Sequence, residues 1–172
     1  MYMKDLNYYV ECFSSLHTMK KCGKPAPHKA LLLLSVIDLV ERGFIVDNRI
    51  YLSDELIYQF NKNVVTYLGD SILFQPKIVY PFYHMGSEGF WKIVYNPNVP
   101  VEKITNYSLV NMRQKIAYAS IDEELFVLLQ NSNIRAKLRV VLITNYLDNQ
   151  PTVVDILPNL LLAFSCGVSL IA

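Results

Sequence analysis

The sequence contains little of the material from which disulfide frameworks and metal centres are built. It has three cysteines and three histidines in 172 residues. The cysteines, Cys12, Cys22 and Cys166, share no C-x-x-C spacing, and their odd number does not suit a disulfide framework. We therefore expect reduced thiols, as in a cytoplasmic protein, and neither a metal site nor a cofactor.

Catalytic motifs are missing as well. His17, His28 and His84 lie in separate predicted elements, and none has ligand spacing to another histidine, a cysteine or a carboxylate. The sequence has no G-x-S-x-G motif, no phosphate-binding loop and no carboxylate pair suited to catalysis. The prediction is a chain with no catalytic residue and no catalysis of its own.

An excess of one charge is also absent, since 16 basic and 15 acidic residues give a net charge of +1. Any surface for nucleic acid must therefore come from local clustering of basic residues. The hydrophobic share of 52% and the charged share of 18% are typical of a globular protein. Residues 1–9 do not show the pattern of a signal peptide, which favours a cytoplasmic location.

The most informative segment is 22–43, CGKPAPHKALLLLSVIDLVERG. It is apolar on nearly every face over residues 30–40, which predicts a helix surrounded by protein. Pro27 suits the first helical position, and Gly43 suits the position just beyond the end. Ala26 then falls at the N-cap, where an alanine side chain cannot accept a hydrogen bond from the exposed N–H groups.

The start of this helix has the character of an anion-binding site. Free N–H groups at a helix N-terminus attract negative charge. Several basic side chains crowd the same end, namely Lys20, Lys21, Lys24, His28 and Lys29. The alternative is that water or a neighbouring loop satisfies the N–H groups.

Hydrophobic periodicity predicts further elements around this helix. Predicted helices cover about 4–17, 53–69, 109–118, a short segment from Asp122, and 132–146. Predicted strands cover 44–46, 49–52, 72–74, 78–84 and 89–95, with a hairpin at 44–52, a turn at 85–88 and a basic loop at 20–25. This order predicts an α+β fold with helices around a small antiparallel sheet. The hairpin after two helices suggests a winged-helix-like arrangement.

The C-terminal residues differ from the rest, so we divide the chain into a domain of residues 1–150 and a tail of residues 151–172. Residues 156–172 carry no charge. They are slightly fewer than the ~20 apolar residues that span a bilayer. We expect this segment to pack on the core. A membrane anchor and an abnormal end, where a longer reading frame once continued, are the alternatives.

Several sequence blocks follow one another in a recognisable order. They are PAPHKALLLLSVIDLVERGFI, NRIYLSDEL, PFYHM with GFWKI, and IDEELFVLLQ with RAKLRVVLITNYL. Together, over about residues 8–147, they resemble the sulfur-binding, DNA-recognition domain of HNH-type, McrA-like restriction endonucleases. The A-P-H-K block is the most specific part. The resemblance implies a reader of phosphorothioate-modified double-stranded DNA in a restriction system for host defence.

A sulfur reader needs a niche in which sulfur is accepted and oxygen is not. Sulfur is larger and more polarisable than the phosphate oxygen that it replaces, and an apolar lining deprives an oxygen of its hydrogen bonds. Pro27 and Ala30 lie one helical turn apart on one face. The resemblance implies that these two positions contact the sulfur, with Ala26 at the rim, while His28 and Lys29 hold the phosphate backbone.

Further DNA-binding residues are predicted outside the niche. Arg49 matches a position where the resembled family often has arginine, and an exposed strand charge is the alternative. The other candidates are Lys20, Lys21, Lys24, Tyr83 and His84. The lysines would attract DNA without specificity, and Tyr83 or His84 could reach a DNA groove. The resembled family often has a lysine or arginine near the position of Gly86, and its absence here leaves a base contact by this turn, and the sequence context of the DNA, open.

The sequence leaves alternatives to the reader function. The chain could be the N-terminal part of an HNH endonuclease whose metal-dependent nuclease domain is absent here. It could also be a generic DNA- or protein-interaction domain without sulfur selectivity. We expect no small-molecule cofactor and no membrane partner, and we leave a homodimer open.

Overall fold

The computed structural model describes residues 4–21, 23–69, 74–100 and 104–147. Within these ranges the helices are α1 (Leu6–Ser14), α2 (His28–Glu41), α3 (Asp54–Leu68), α4 (Val79–His84), α5 (Leu109–Lys115), α6 (Glu123–Leu128) and α7 (Ser132–Tyr146). The strands are β1 (Lys20–Lys21), β2 (Lys24–Pro25), β3 (Trp91–Tyr95) and β4 (Ile116–Ile121), and a 3₁₀ turn covers Met85–Glu88. The predicted α+β class, with helices around a small antiparallel sheet, is confirmed.

Helix α2 is the centre of the fold. Eleven of its 14 residues are buried, and α3, α4 and α7 pack against it. The helix begins one residue later than predicted, with Pro27 at the N-cap. It stops as predicted, because Gly43, just beyond the C-cap residue Arg42, takes the left-handed φ of 71° that glycine adopts without strain.

A partly buried polar network joins α2 to α3 and α7. Asp38 in α2 accepts hydrogen bonds from Gln59 Nε2 at 2.8 Å and from Asn63 Nδ2 at 2.9 Å, both in α3. Its other carboxylate oxygen binds Arg139 in α7. Asn63 also donates to Ser35 Oγ at 3.1 Å. The network therefore supplies hydrogen-bond partners for polar groups whose burial without partners would cost free energy.

Strands β3 and β4 form the larger sheet in antiparallel register, with Ile93 opposite Ala119. Ala119 also exchanges backbone hydrogen bonds of 2.7 and 2.8 Å with Ile50. Trp91 in β3 is 2% exposed. Its ring meets Phe82 of α4 edge-on, with 5.6 Å between the centroids. The sheet therefore ties the 3₁₀ turn, which lies between α4 and β3, to the core.

Several predictions of local structure are wrong. Residues 78–84, predicted as a strand, contain α4 with Ile78 at its N-cap, and Val79 and Phe82 of this helix are buried three positions apart. A short apolar run fits a strand and a helix equally well, so periodicity could not decide. The predicted helix at 109–118 ends at Lys115, and the chain continues as β4 because it pairs with β3.

The predicted hairpin at 44–52 is also wrong. Within the described residues, this stretch forms a single bridge from Ile50 to Ala119 and no strand pair of its own. The winged-helix-like arrangement depended on that hairpin, so it loses its support. The predicted basic loop at 20–25 is instead the hairpin of β1 and β2. The predicted strand at 72–74 lies mostly outside the described residues, and Phe74 is not in a strand.

Several predictions concern residues outside the described ranges. The tail of residues 151–172, Cys22 and Cys166 lie outside the described residues. Cys12 is half-buried and has a free thiol. None of the helices in the described part of the chain is long and apolar enough to cross a membrane.

Candidate nucleic-acid interface

The start of α2 is uncapped, as predicted. Pro27 accepts a backbone hydrogen bond from Leu31 N–H at 2.9 Å, which begins the helix. No side chain of the described residues caps the helix. The backbone N–H groups of His28, Lys29 and Ala30 have no acceptor among those residues either. Such a helix end offers donors and a partial positive charge to an anion.

The three apolar residues predicted to line the niche are all buried in the structure. Ala26 is 8% exposed, Ala30 is 0% exposed, and Pro27 is buried. Ala30 belongs to the hydrophobic core. A ligand atom can therefore reach the Ala30 methyl group only if the surface above it opens. This burial was not foreseen, because it depends on packing by residues that are distant in the sequence.

The β1–β2 hairpin brings lysines to the same end of α2. It pairs Lys20 with Pro25 and Lys21 with Lys24. A backbone hydrogen bond of 2.7 Å from Ala26 N–H to Met19 closes its base, directly before α2. The Lys20 and Lys24 side chains are exposed. The structure thus places the predicted basic residues next to the uncapped helix start.

Lys29 is held inside the protein by a carboxylate. Its ammonium group binds Glu88 and also donates to Ser87 Oγ at 2.9 Å. Glu88 further accepts from His17 N–H at 3.1 Å and lies 3.2 Å from His17 Nδ1. Burial opposes ionisation of Glu88, but the hydrogen bonds from Lys29 and His17 outweigh it and hold the Glu88 pKa below its usual value.

Glu88 is a residue that sequence reasoning missed. In the sequence it is an ordinary carboxylate in a turn, and its partner Lys29 is 59 positions away. No local pattern signals a contact of that separation. The sequence suggested Lys29 as a contact to the phosphate backbone, and the structure places its ammonium group in a buried ion pair.

His28 lies at the helix start without contributing charge. Its ring is half-buried and meets Phe74 edge-on at 5.9 Å. Burial lowers the pKa of His28 and so favours the neutral imidazole. Its Nε2 atom is buried and has no hydrogen-bond partner among the described residues. His28 is therefore better suited to hydrogen bonding than to supplying a positive charge.

Tyr83 and His84 belong to an aromatic group near the same end. His84 is exposed and stacks on Tyr107, with 5.6 Å between the rings. Tyr80 and Tyr83 pack on Tyr107 at 4.9 and 5.9 Å. The carbonyl of His84 accepts a 2.9 Å hydrogen bond from Ser87, the residue that binds the Lys29 ammonium. Tyr80 and Tyr107 were not predicted, although Tyr80 lies one helical turn from Tyr83 and His84.

Arg49 is separate from this group of residues. It is exposed, and its guanidinium lies 5.7 Å from the Tyr118 ring. It lines a shallow cavity of about 260 Å³ together with Leu39. Leu39 follows Pro27 by 12 positions, which corresponds to about 18 Å along α2. The structure therefore brings together the predicted residues of the helix start and hairpin, and places Arg49 towards the other end of α2.

Within residues 4–21, 23–69, 74–100 and 104–147, no group of three or more His, Cys, Asp or Glu side chains is arranged to hold a metal ion. The chemistry that this surface offers is electrostatic attraction, hydrogen bonding from backbone N–H groups and apolar contact.

No family model matches the sequence, and no curated protein matches it significantly. The fold is shared with solved structures, among them two sulfur-binding domains. The sulfur-binding domain of SprMcrA, in complex with phosphorothioated DNA, has a TM-score of 0.64 at 18% identity and covers 90% of this chain and 92% of that chain. The sulfur-binding domain of ScoMcrA, also with phosphorothioated DNA, has a TM-score of 0.55 at 16% identity, with coverage of 86% and 92%. The resemblance to McrA sulfur-binding domains is thus confirmed as a likeness of fold.

Proposed function

We propose that this chain is a DNA-binding module that recognises a phosphorothioate in the backbone of double-stranded DNA. The observation that carries the proposal is the fold, because two domains with this architecture are bound to phosphorothioated DNA. The uncapped start of α2, next to the lysines of the β1–β2 hairpin, supports the same conclusion. The module acts in the cytoplasm as the reader part of a restriction system.

The start of α2 supplies the binding chemistry. Its free N–H groups donate to the non-bridging oxygens of one phosphate, and Lys20, Lys21 and Lys24 attract the neighbouring phosphates. The sulfur lies against Ala26, Pro27 and Ala30. Contact with Ala30 requires a local opening of this surface, because its methyl group is buried.

Discrimination between sulfur and oxygen comes from hydrogen bonds that are lost in the apolar niche. An oxygen placed there gives up its contacts with water and gains none from carbon atoms. A lost hydrogen bond of this kind costs about 1–3 kcal/mol, which corresponds to roughly 5- to 150-fold in affinity. Sulfur loses less, because it is a weaker acceptor.

Replacing Ala30 with serine tests this niche. The new hydroxyl gives an oxygen a hydrogen-bond partner, so we expect the preference for sulfur-modified over unmodified DNA to fall about fivefold, the equivalent of ~1 kcal/mol. Gel-shift titrations with two duplexes of one sequence measure this preference. Ala119→Ser makes the same change at another fully buried alanine, in β4, and serves as the control.

The outcomes distinguish the recognition of sulfur from the location of the niche at Ala30. Equal affinity of the wild-type protein for both duplexes would refute recognition of sulfur. If the wild-type protein prefers sulfur and Ala30→Ser keeps the whole preference, the niche lies elsewhere on the surface.

We also propose that the module performs no catalysis of its own, in line with its likeness to domains that bind DNA. Incubation of a sulfur-modified plasmid with the purified chain and Mg²⁺ or Mn²⁺ should leave the plasmid intact. Nicking or cleavage that is abolished by a chelator would favour the endonuclease alternative.

A further inference from the structure

The ion pair of Lys29 and Glu88 lies at the proposed DNA-binding end of α2, yet neither charge faces solvent. The Lys29 side chain is 10% exposed and the Glu88 side chain 3% exposed. Ser87 Oγ accepts a second hydrogen bond from the Lys29 ammonium at 2.9 Å. The backbone N–H of His17 donates to Glu88 Oε1 at 3.1 Å, the same oxygen that the Lys29 ammonium binds. Both charged groups are therefore satisfied within the protein.

This pairing changes what a phosphate meets at the helix start. A lone ammonium group would attract any phosphate. An ion pair has no net charge, so its electric field is weaker and falls off over a shorter distance. Lys29 could bind a phosphate only by leaving Glu88 as a buried carboxylate without its cation, which is strongly unfavourable. An unpaired Lys29 would also favour oxygen, because a phosphate oxygen accepts hydrogen bonds better than sulfur does.

We propose that Glu88 is a specificity-determining residue, because it keeps Lys29 in an ion pair without net charge. Ordinary phosphate is then bound weakly, and the affinity depends on the contact with sulfur. This inference rests on the proposed function. Lys29 is then a positioning residue that joins α2 to the 3₁₀ turn, in place of the phosphate contact suggested by the sequence.

The Glu88→Gln variant tests the proposal. The amide oxygen can still accept from His17 N–H, while Lys29 becomes an unpaired cation. We expect tighter binding of unmodified DNA, by about eightfold at ~0.1 M salt, and a preference for sulfur that falls by a similar factor. The plot of log K against log salt concentration should become steeper by about 0.9 for unmodified DNA, as expected for one added phosphate contact. Glu55→Gln changes the net charge equally at an exposed site in α3 and should alter none of these quantities.

The double variant Lys29→Met/Glu88→Gln removes both charges. It distinguishes a Lys29 that positions the 3₁₀ turn from a Lys29 that contacts phosphate. If Lys29 only positions the turn, the affinity for sulfur-modified DNA, the preference and the salt dependence stay within about threefold of wild type. A loss of tenfold or more, with an unchanged melting temperature, would show that Lys29 contacts phosphate and would overturn the proposal. This variant still decides the question if Glu88→Gln alone does not fold.

Failure of this inference can be told from failure of the proposed function. A wild-type protein without preference for sulfur refutes the function, whatever the variants do. A wild-type protein that prefers sulfur, together with a Glu88→Gln variant of unchanged preference and salt dependence, refutes only the role of Glu88.

Discussion

Replacing Asp38 with alanine is expected to lower the free energy of unfolding by about 3 kcal/mol, because it removes the acceptor at the centre of a partly buried network. The variant would leave the amide groups of Gln59 and Asn63 without their hydrogen bonds to the carboxylate. It would also leave Arg139, whose side chain is 14% exposed, with only the more exposed Glu41 as a charge partner. Chemical denaturation of both proteins measures the difference.

Asp54 offers a matched control for this experiment. It also pairs with an arginine, Arg113, at 2.6 Å, but its side chain is 87% exposed. Solvent screens such a pair, so Asp54→Ala is expected to cost about 1 kcal/mol or less. If Asp38→Ala were no more destabilising than Asp54→Ala, the network would not hold α2, α3 and α7 together.

Replacing Lys20 and Lys24 together with glutamine is expected to weaken DNA binding by on the order of 50-fold at ~0.1 M salt, if each lysine neutralises one phosphate. The slope of log K against log salt concentration should become shallower by about 1.8. Both lysines lie exposed in the β1–β2 hairpin beside the start of α2. Because such contacts carry no chemical selectivity, modified and unmodified DNA should lose affinity equally.

The control for the hairpin variant removes the same charge elsewhere. Lys62 in α3 and Lys137 in α7 are both exposed, and their replacement with glutamine should change the slope little. An equal loss from both double variants would mean that the lysines act through net charge. A hairpin variant with unchanged salt dependence would show that the DNA lies on another face.

Local signals in the sequence were sufficient to predict helix boundaries that are fixed by neighbouring residues. Ser53 caps α3 and accepts a hydrogen bond from Leu56 N–H, as its position before Asp54 and Glu55 predicted. The end of α2 at Gly43 was equally clear. In each case the residues that fix the boundary are neighbours in the chain, so the sequence alone contains the physical cause.

Predictions failed where the deciding partner is distant in the chain. Residues 116–118 continue a helical pattern, but they pair with β3, more than 20 positions earlier, and become part of β4. The same limit applies to the candidate site. The absence of a capping side chain at the start of α2 could be predicted, because it depends on adjacent residues. The burial of Ala30 and the capture of Lys29 by Glu88 depend on the tertiary packing, so no local pattern could indicate them.

The position of Trp91 gives the protein an intrinsic optical probe. It is the only tryptophan in the sequence, so the indole fluorescence has a single source. The ring is enclosed beside Phe82, which predicts blue-shifted emission that moves to longer wavelength when the core is exposed to water. Because Trp91 follows Glu88 by three positions, a ligand that moves the 3₁₀ turn should also change the intensity. Folding and binding can thus be followed in the unlabelled protein.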